Sequence, residues 1–359
     1  MKVKTSILQE LSQKIVKGNL GDKNLFISNY TKISADKQTL TLHNTDIDNH
    51  LEVSANIEDK SSFDMIVDTN LFNKLINSIE SDYVNFSKQG EEYVISYGNS
   101  NYKFPVILDS LGAEIQLENF ELPKEGVTIS AQDLNIVLRY LPSCIGTDFV
   151  NNVLTGMYIG KKAYSSNRFK ACILNINLLK DSSPILLPSK FINLLKLLES
   201  DDEIFYAIDS NGIYFVSRET TIVGLDMKEL SQYPVSALDD FSKSNLKYAF
   251  SVSNKDLKKV INRVSILCKD DELLVNLAPK DKVLLVINQS GNGVDEVPIK
   301  WESEVPKDWS ELVNYKFLLN ILQTMEESIK IEFENSQFIR LKDKFADNIL
   351  SIVKVNQNA

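Results

Sequence analysis

The sequence predicts an α+β fold of three repeated domains, each with two helices packed on antiparallel sheets. Three observations lead there. Apolar residues recur at i, i+3 and i+7 in six places: Leu8, Leu11 and Ile15; Phe72, Leu75 and Ile79; Leu134, Val137 and Leu141; Phe191, Leu194 and Leu198; Leu257, Val260 and Val264; Leu318, Ile321 and Met325. That spacing lines one face of an α-helix. Successive stripes begin 64, 62, 57, 66 and 61 residues apart, and a near-constant interval marks an internal repeat. Runs rich in β-branched and aromatic residues follow three of the helices: "YVNFSKQGEEYVISYGNSNYKFPVI", "EIFYAIDSNGIYFVSRETTIVGLDM" and "SIKIEFENSQFIRLKDKFADNILSIVKV". Turn signals at Gly90, 210–212 and 334–336 divide them into strands.

One helix with its strands is too small to bury a core alone. Two copies together reach an ordinary domain size. The expected domains are 1–120, 125–243 and 246–359, separated by "LENFELPKEG" at 117–126 and "LDDFSKSNLK" at 238–247, both polar and weakly periodic. Ser130, Ser189 and Ser253 stand where helix N-caps belong.

Composition narrows the class. Hydrophobic residues make up 43% of the chain, enough for a core in each domain, and no apolar run reaches the roughly 18–20 residues of a membrane span. The start, "MKVKTSILQELSQK", lacks a signal-peptide core, so a cytoplasmic location is expected. Cys144, Cys172 and Cys268 are few, scattered and odd in number, which reads as reduced thiols. The net charge of −10 argues against a nucleic-acid binder, unless the positive charges are gathered on one face.

The helices bear on that exception. Opposite each apolar stripe lie the residues at −2, +1, +2 and +5 from its start. Of these 24 positions, seven are Lys or Arg, eleven are Asn or Gln and one is acidic, in a chain with 49 acidic and 39 basic residues. An ordinary solvated face would carry as much acid as base. Lysines, arginines and amides without carboxylates suit phosphate oxygens and carry little base information. Lys74, Gln132, Arg139, Lys196, Lys255, Lys258, Lys259, Lys316 and Gln323 are therefore expected to face duplex DNA, with Lys255, Lys258 and Lys259 the densest group.

Geometry extends the expectation. Six helices in a ring at roughly 10 Å spacing leave a hole of roughly 9 Å, and a duplex is roughly 20 Å across. Twelve helices from two chains leave about 27 Å. A head-to-tail dimer is the smallest closed ring that admits DNA.

No catalytic constellation stands out. His43 and His50 are seven apart without a third ligand at metal spacing, and "SGNGVDE" at 290–296 lacks a following helix. No phosphate-binding loop motif occurs, so neither ATP nor any other cofactor is expected, and no metal site. The carboxylate runs "SDDE" at 200–203 and "KDDE" at 269–272 read as solvated turns.

With the repeat and the helix faces in view, the whole chain resembles the bacterial sliding clamps, the β subunit of DNA polymerase III. Local signatures in family order carry the likeness: "KQTLTLHNTDIDNHLEV" at 37–53, "FVNNVLTGMYI" at 149–159, "SSNRFKAC" at 165–172 and "NRVSILC" at 262–268. The resemblance implies a non-catalytic, ring-shaped homodimer, half of the closed ring per chain. Such a ring encircles duplex DNA, is opened by a clamp loader and tethers polymerase. It further implies a groove between the second and third domains for partner peptides with Gln and Leu/Phe anchors, formed here by Leu154, Ser165, Asn167, Arg168, Phe169, Pro234, Leu238, Ile352 and Val353. The dimer contact would join the strand around Tyr102 and Phe104 to one around Leu273 and Leu274 of the other chain, leaving no open sheet edge. Two departures fall on the groove. Arg168-Phe169-Lys170 stands where the family has His/Tyr-Arg-Leu, and the final "VKVNQNA" replaces a Met-Pro-Met-Arg-Leu ending, which fits a divergent or phage-encoded clamp.

Two other readings compete. A β-rich repeat scaffold that does not encircle DNA explains the strands and the acidity, but not the carboxylate-poor helix faces. An enzyme would need a catalytic cluster that the sequence does not display.

Overall fold

The computed structural model describes residues 1–18, 20–21, 25–108, 111–117, 121–147, 153–180, 182–198, 203–210, 212–224, 230–269, 272–306, 309–334 and 337–354. Parts of several expected features lie outside the described residues: the turn signals at 211 and 335–336, most of "SDDE", the middle of "KDDE", residues 118–120 of "LENFELPKEG", 149–152 of "FVNNVLTGMYI" and 355–359 of the final "VKVNQNA".

The chain opens with β1 (Lys2–Lys4), α1 (Thr5–Gly18), β2 (Tyr30–Asp36), β3 (Thr39–Thr45), β4 (Asn49–Asn56), β5 (Phe63–Asp68), α2 (Thr69–Asn77), β6 (Tyr83–Gln89), β7 (Glu92–Tyr97) and β8 (Ser100–Pro105). It continues with β9 (Val127–Ser130), α3 (Ala131–Tyr140), β10 (Gly156–Ile159), β11 (Ala163–Ser166), β12 (Lys170–Leu174), β13 (Ile185–Pro188), α4 (Phe191–Leu195), β14 (Glu203–Ile208), β15 (Ile213–Val216) and β16 (Thr220–Gly224). The last third holds α5 (Val235–Lys243), β17 (Tyr248–Ser253), α6 (Asn254–Ser265), β18 (Leu274–Lys280), β19 (Val283–Asn288), β20 (Val294–Trp301), β21 (Glu311–Asn314), α7 (Tyr315–Thr324), β22 (Ser328–Phe333), β23 (Phe338–Lys342) and β24 (Ala346–Ser351).

All six periodic stripes form helices with the apolar face turned inward, as with Leu8, Leu11 and Ile15 in α1, and Leu257, Val260 and Val264 in α6. Side chains fix their starts. Asp68 accepts from the Leu71 amide at α2, Asn314 accepts from the Lys316 and Phe317 amides at α7, and Ser253 accepts from the Asp256 amide at α6. Ser189 does not cap α4 as expected. The cap position is Lys190, one residue later, and no side chain caps this helix; the Ser189 amide donates to the Thr155 carbonyl beside β13.

The chain forms two compact units. The first comprises 1–132 and 190–226, the second 133–189 and 227–359. In the first, a four-stranded sheet runs β1-β6-β7-β8 and an eight-stranded sheet runs β5-β2-β3-β4-β16-β15-β14-β9, every pairing antiparallel. Helix α1 packs on α2, β4 and α4. In the second, one twelve-stranded sheet runs β13-β10-β11-β12-β24-β23-β22-β17-β20-β19-β18-β21. Helices α6 and α7 pack together, and buried Asn254 donates to the Leu322, Met325 and Glu326 carbonyls at the end of α7, where four carbonyls lack helical partners.

Long-range strand pairs hold each unit together. β16 pairs with β4 (Ile222 opposite Leu51) and β12 pairs with β24 (Ala171 opposite Ile349), so the sheets run on past the expected boundaries. The segment expected as a linker at 238–247 is largely helix. Val235, Leu238 and Phe241 fall on one side of α5, Leu238 is buried, and Arg340 donates to the Phe241 and Ser242 carbonyls at its end.

Candidate DNA-facing helices and partner groove

The basic helix face can be followed within each unit. In the first, Lys74 on α2 and Lys196, just past α4, are exposed. Many of the neighbouring amides are already committed. Gln9 donates to the Ile76 and Ile79 carbonyls at 3.2 and 3.3 Å, Gln13 bonds Asn77 at 2.8 Å, and Ser12 bonds Asn73 at 3.1 Å. These bonds fasten α1 to α2, so this part of the amide-rich face is a helix-packing seam. Ile192 is buried, and α4 spans only five residues before tightening into a 3₁₀ turn at 196–198. Gln132, at the start of α3, is exposed.

In the second unit, Lys255 and Lys259 are exposed on α6 and Lys258 is half-buried. Lys259 lies 3.5 Å from Asp256, one turn back. Lys316 and Gln323 are exposed on α7. Arg139 differs from the lysines: its guanidinium pairs with Glu326 at 2.7 Å and donates to the Met325 carbonyl at 3.2 Å, which leaves it a poorer phosphate contact.

The expected groove residues divide. Strands β11 and β12 are joined by a tight turn in which Arg168 has φ 74°. Asn167 Oδ1 holds that turn by accepting from the Phe169 and Lys170 amides at 3.1 and 2.9 Å. Beside it lies a groove of about 480 Å³. Its apolar wall comes from Leu238 and Phe241 of α5, Phe338 of β23, and Ile349 and Ile352 at the end of β24, and its polar rim from Arg168, Gln337 and Lys354. Of the expected residues, Arg168, Phe169, Leu238 and Ile352 line it.

The other five lie elsewhere. Leu154 is buried in the cluster beneath, with Tyr164, Ala171, Leu238 and Ile349. Ser165 is fully buried and donates to the Leu141 carbonyl at 2.6 Å. Asn167 serves the turn, exposed Pro234 precedes α5, and Val353 is exposed after β24. Lys170 turns its side chain across the sheet, with Nζ 5.1 Å from the centre of the Phe317 ring, and burial lowers its pKa. Phe169 is 59% exposed and stacks on Phe317 at 6.0 Å. Sequence reasoning missed Phe241, Phe338 and Ile349. The signal was present for Phe241, in the i, i+3, i+6 spacing of Val235, Leu238 and Phe241.

The expected dimer residues are also divided. Tyr102 is exposed on β8, the terminal strand of the four-stranded sheet, and stacks on Tyr97 at 5.9 Å; Phe104 is half-buried. Leu273 and Leu274 are half-buried, and β18, which starts at Leu274, is flanked by β19 and β21. The exposed apolar residues of this region are Ile266, Leu267 and Val294, at 78, 55 and 58%. Val294–Val297 of β20 pair with β19 on one side and, among the described residues, with no strand on the other.

The two histidines meet across the β3–β4 hairpin. His43 Nε2 and His50 Nδ1 are 3.3 Å apart, and His43 is buried. Burial first, then the charges of His50 and Lys32, lower the His43 pKa to about 4. Among the described residues no group of three or more His, Cys, Asp or Glu side chains is placed to hold a metal. Nor is any helix among them long and apolar enough to cross a membrane. Burial raises the Cys144 thiol to about 11 and lifts Cys172 well above the ordinary thiol value, which suits inert thiols.

No protein-family profile matches the sequence, and no curated protein matches it either. Solved structures do match. DNA polymerase III subunit beta from Pseudomonas aeruginosa is similar with a TM-score of 0.86 over 99% of this chain and 100% of that one, at 14% identity. The DNA polymerase sliding clamp from Bacillus subtilis gives 0.84 over 99% of each chain, at 16% identity. The beta subunit from DNA polymerase of Streptococcus pyogenes gives 0.86 over 99% of each, at 15% identity. The chain has the sliding-clamp fold. Identities of 14–16% carry the fold.

Proposed function

We propose that the protein is a DNA sliding clamp: a non-catalytic processivity factor that closes around duplex DNA as a head-to-tail homodimer and tethers a polymerase and other partners by their peptides. The observation that carries this is the match to the clamp fold over 99% of the chain. The exposed lysines of α6 and α7 support DNA as the occupant of the ring, contacted through phosphate and without sequence preference. The division into domains 1–120, 125–243 and 246–359 belongs to this reading, with a clamp loader as the agent that opens the ring.

The dimer contact in this reading is shifted from Leu273 and Leu274. In this reading β8 of one copy lies along Val294–Val297 of β20 in the other, and Tyr102 and Phe104 meet Ile266, Leu267 and Val294. Both edges are open among the described residues, and both apolar groups are exposed or half-buried. Lys103 on β8 pairs with Glu92 and Asp295 on β20 with Arg263 in the single chain, so charge matching across this contact would need Lys103 to exchange Glu92 for Glu296.

Sedimentation tests the assembly. The expected mass is twice 40.6 kDa, falling to one chain's mass in Leu267→Asp. The dimer should also co-migrate with nicked circular plasmid, and the Leu267→Asp monomer should not. A stable monomer that retains circular DNA as well as the wild type would favour the scaffold reading.

A further inference from the structure

The tight turn of the β3–β4 hairpin is repeated in the β11–β12 hairpin. Ile47 has φ 79° in one and Arg168 has φ 74° in the other. The Ile47 amide donates to Thr45 Oγ1 at 3.0 Å, and the Arg168 amide to Ser166 Oγ at 3.3 Å. Asp46 and Asn167 accept from the Asn49 and Lys170 amides at 2.7 and 2.9 Å. Counting outward from the turn, His43, His50 and Glu52 take the places of Tyr164, Ala171 and Ile173. Lys32, opposite His43, takes the place of Tyr158, opposite Tyr164. In the β11–β12 hairpin these four positions belong to one apolar cluster. In the β3–β4 hairpin they carry two imidazoles, a carboxylate and an ammonium, although His43 is buried and the other three are half-buried. Polar groups withdrawn from water at apolar positions cost stability, so packing alone does not account for the exchange.

Leu51 meets Gly18 of α1, so its neighbours on β4, His50 and Glu52, turn to the other face of the sheet, with His43 beside them. There His43 Nε2 and His50 Nδ1 stand 3.3 Å apart. That is long for a hydrogen bond donated by nitrogen, ordinarily about 2.7–3.2 Å. Two nitrogens bound at about 2.0–2.1 Å to one tetrahedral cation stand roughly 3.3–3.4 Å apart. Glu52 lies directly opposite His43 and two residues from His50 on the same face, so a turn of its side chain carries a carboxylate oxygen toward the pair. We infer that His43, His50 and Glu52 form a binding site for a divalent transition-metal cation of zinc's kind, with two imidazole nitrogens and a carboxylate as ligands and solvent completing the shell. The histidines already have ligand spacing, and Glu52 supplies the third ligand on binding. Imidazole nitrogens favour such a cation over magnesium, which prefers oxygen. The ammonium of Lys32 opposes the cation's charge and the Glu52 carboxylate offsets it. The site lies within the first unit and ties β3 to β4, whether or not the chain encircles DNA.

Calorimetric titration of the full-length, chelator-treated protein with zinc chloride tests it, with magnesium chloride as the contrast. Zinc should bind once per chain and raise the denaturant midpoint, and magnesium should do neither. Losing only an outer partner of a metal ligand costs about 10–100-fold in affinity, so His50→Ala, His43→Gln and Glu52→Gln should each weaken zinc by at least about tenfold. His50→Ala is the variant least prone to misfold, since Ala171 already stands at the matching place in the other hairpin. Lys32→Gln should tighten zinc by removing the opposing charge. Zinc binding that is unchanged in His50→Ala would put the cation elsewhere, for instance at the half-buried Cys268, and would overturn the site. Unchanged binding in Glu52→Gln would overturn the three-ligand assignment. Magnesium binding as tight as zinc would overturn imidazole ligation. No zinc binding at all would overturn the inference and leave the two histidines as a hydrogen-bonded pair.

Discussion

The guanidinium of Arg139 sits 2.7 Å from the carboxylate of Glu326 and also donates to the Met325 carbonyl. A residue whose position on α3 suggests a DNA contact is thereby tied to the end of α7. Its charge is already balanced by a neighbour. Glu326→Gln should therefore strengthen DNA binding and steepen its salt dependence, by releasing Arg139 and removing an anion. Arg139→Ala should weaken binding less than loss of a single exposed lysine on α6. Filter binding across a salt series checks both, and a large loss in Arg139→Ala would show that the pair opens on DNA.

The α6 lysines carry the opposite expectation. Replacing Lys255, Lys258 and Lys259 with Gln should lower DNA affinity for every sequence alike. It should also flatten the plot of log affinity against log salt by about one unit for each phosphate that the variant no longer neutralises. Thermal stability should change by no more than about 0.5 kcal/mol, since two of the three side chains are exposed. A loss confined to some DNA sequences would contradict phosphate-only recognition.

The buried His43 predicts a pH dependence. Its pKa is lowered from 6.5 to about 4, so between those values the unfolded chain binds a proton that the folded chain refuses. Stability from this group is complete above about pH 6.5 and falls as the pH drops toward 4, by up to about 3 kcal/mol. His50 and Lys32 add to the lowering, while burial raises the Glu52 carboxyl opposite, which works in the other direction. Denaturant melts at pH 7 and pH 5 should show a smaller loss in His43→Gln than in wild type. An equal loss in both would assign the acid sensitivity to other groups.

Ile47 is a β-branched residue with φ 79° at the tip of the β3–β4 hairpin, where its side chain is 62% exposed. That conformation costs roughly 1–2 kcal/mol for a side chain with Cβ, and an exposed position recovers little packing in return. Ile47→Gly should stabilise the fold by about 1 kcal/mol, measured as a raised denaturant midpoint with unchanged slope. Destabilisation would mean that the exposed side chain packs well enough to outweigh the strain.

Much of the fold could be read from the sequence because helix periodicity is local. The i, i+3, i+7 stripes needed only neighbours in the chain, and each marks a helix, although Ile79, Leu141, Leu198 and Met325 fall just past the ends of α2, α3, α4 and α7. Strand partnership is not local. Nothing near Ile222 indicates that Leu51 lies opposite it, nor near Ala171 that Ile349 does, so the compact units could not be read from linker composition. The short α5 was hidden because five of its nine residues, Ser236, Asp239, Asp240, Ser242 and Lys243, are polar and its second half opens the stretch that reads as a linker.

The sites were legible in part for a related reason. Charge on a helix face follows from spacing, and most of the expected lysines are exposed. Whether a polar group is already occupied depends on a distant partner. Gln13 with Asn77, and Arg139 with Glu326, are such pairs. Of the residues expected at a groove, Arg168, Phe169, Leu238 and Ile352 line one cleft, while the Ser165 hydroxyl faces the Leu141 carbonyl inside the unit, since strand alternation decides the face and register is not local.

The central claim is topological linkage to DNA, and one experiment addresses it directly. The protein is placed on nicked circular plasmid with a clamp loader or by passive closure, half of the sample is linearised, and both halves are passed through a sizing column in moderate salt. A clamp stays with the circles and slides off the linear ends. Equal retention on circles and linear DNA would show surface binding without encirclement and would contradict the account.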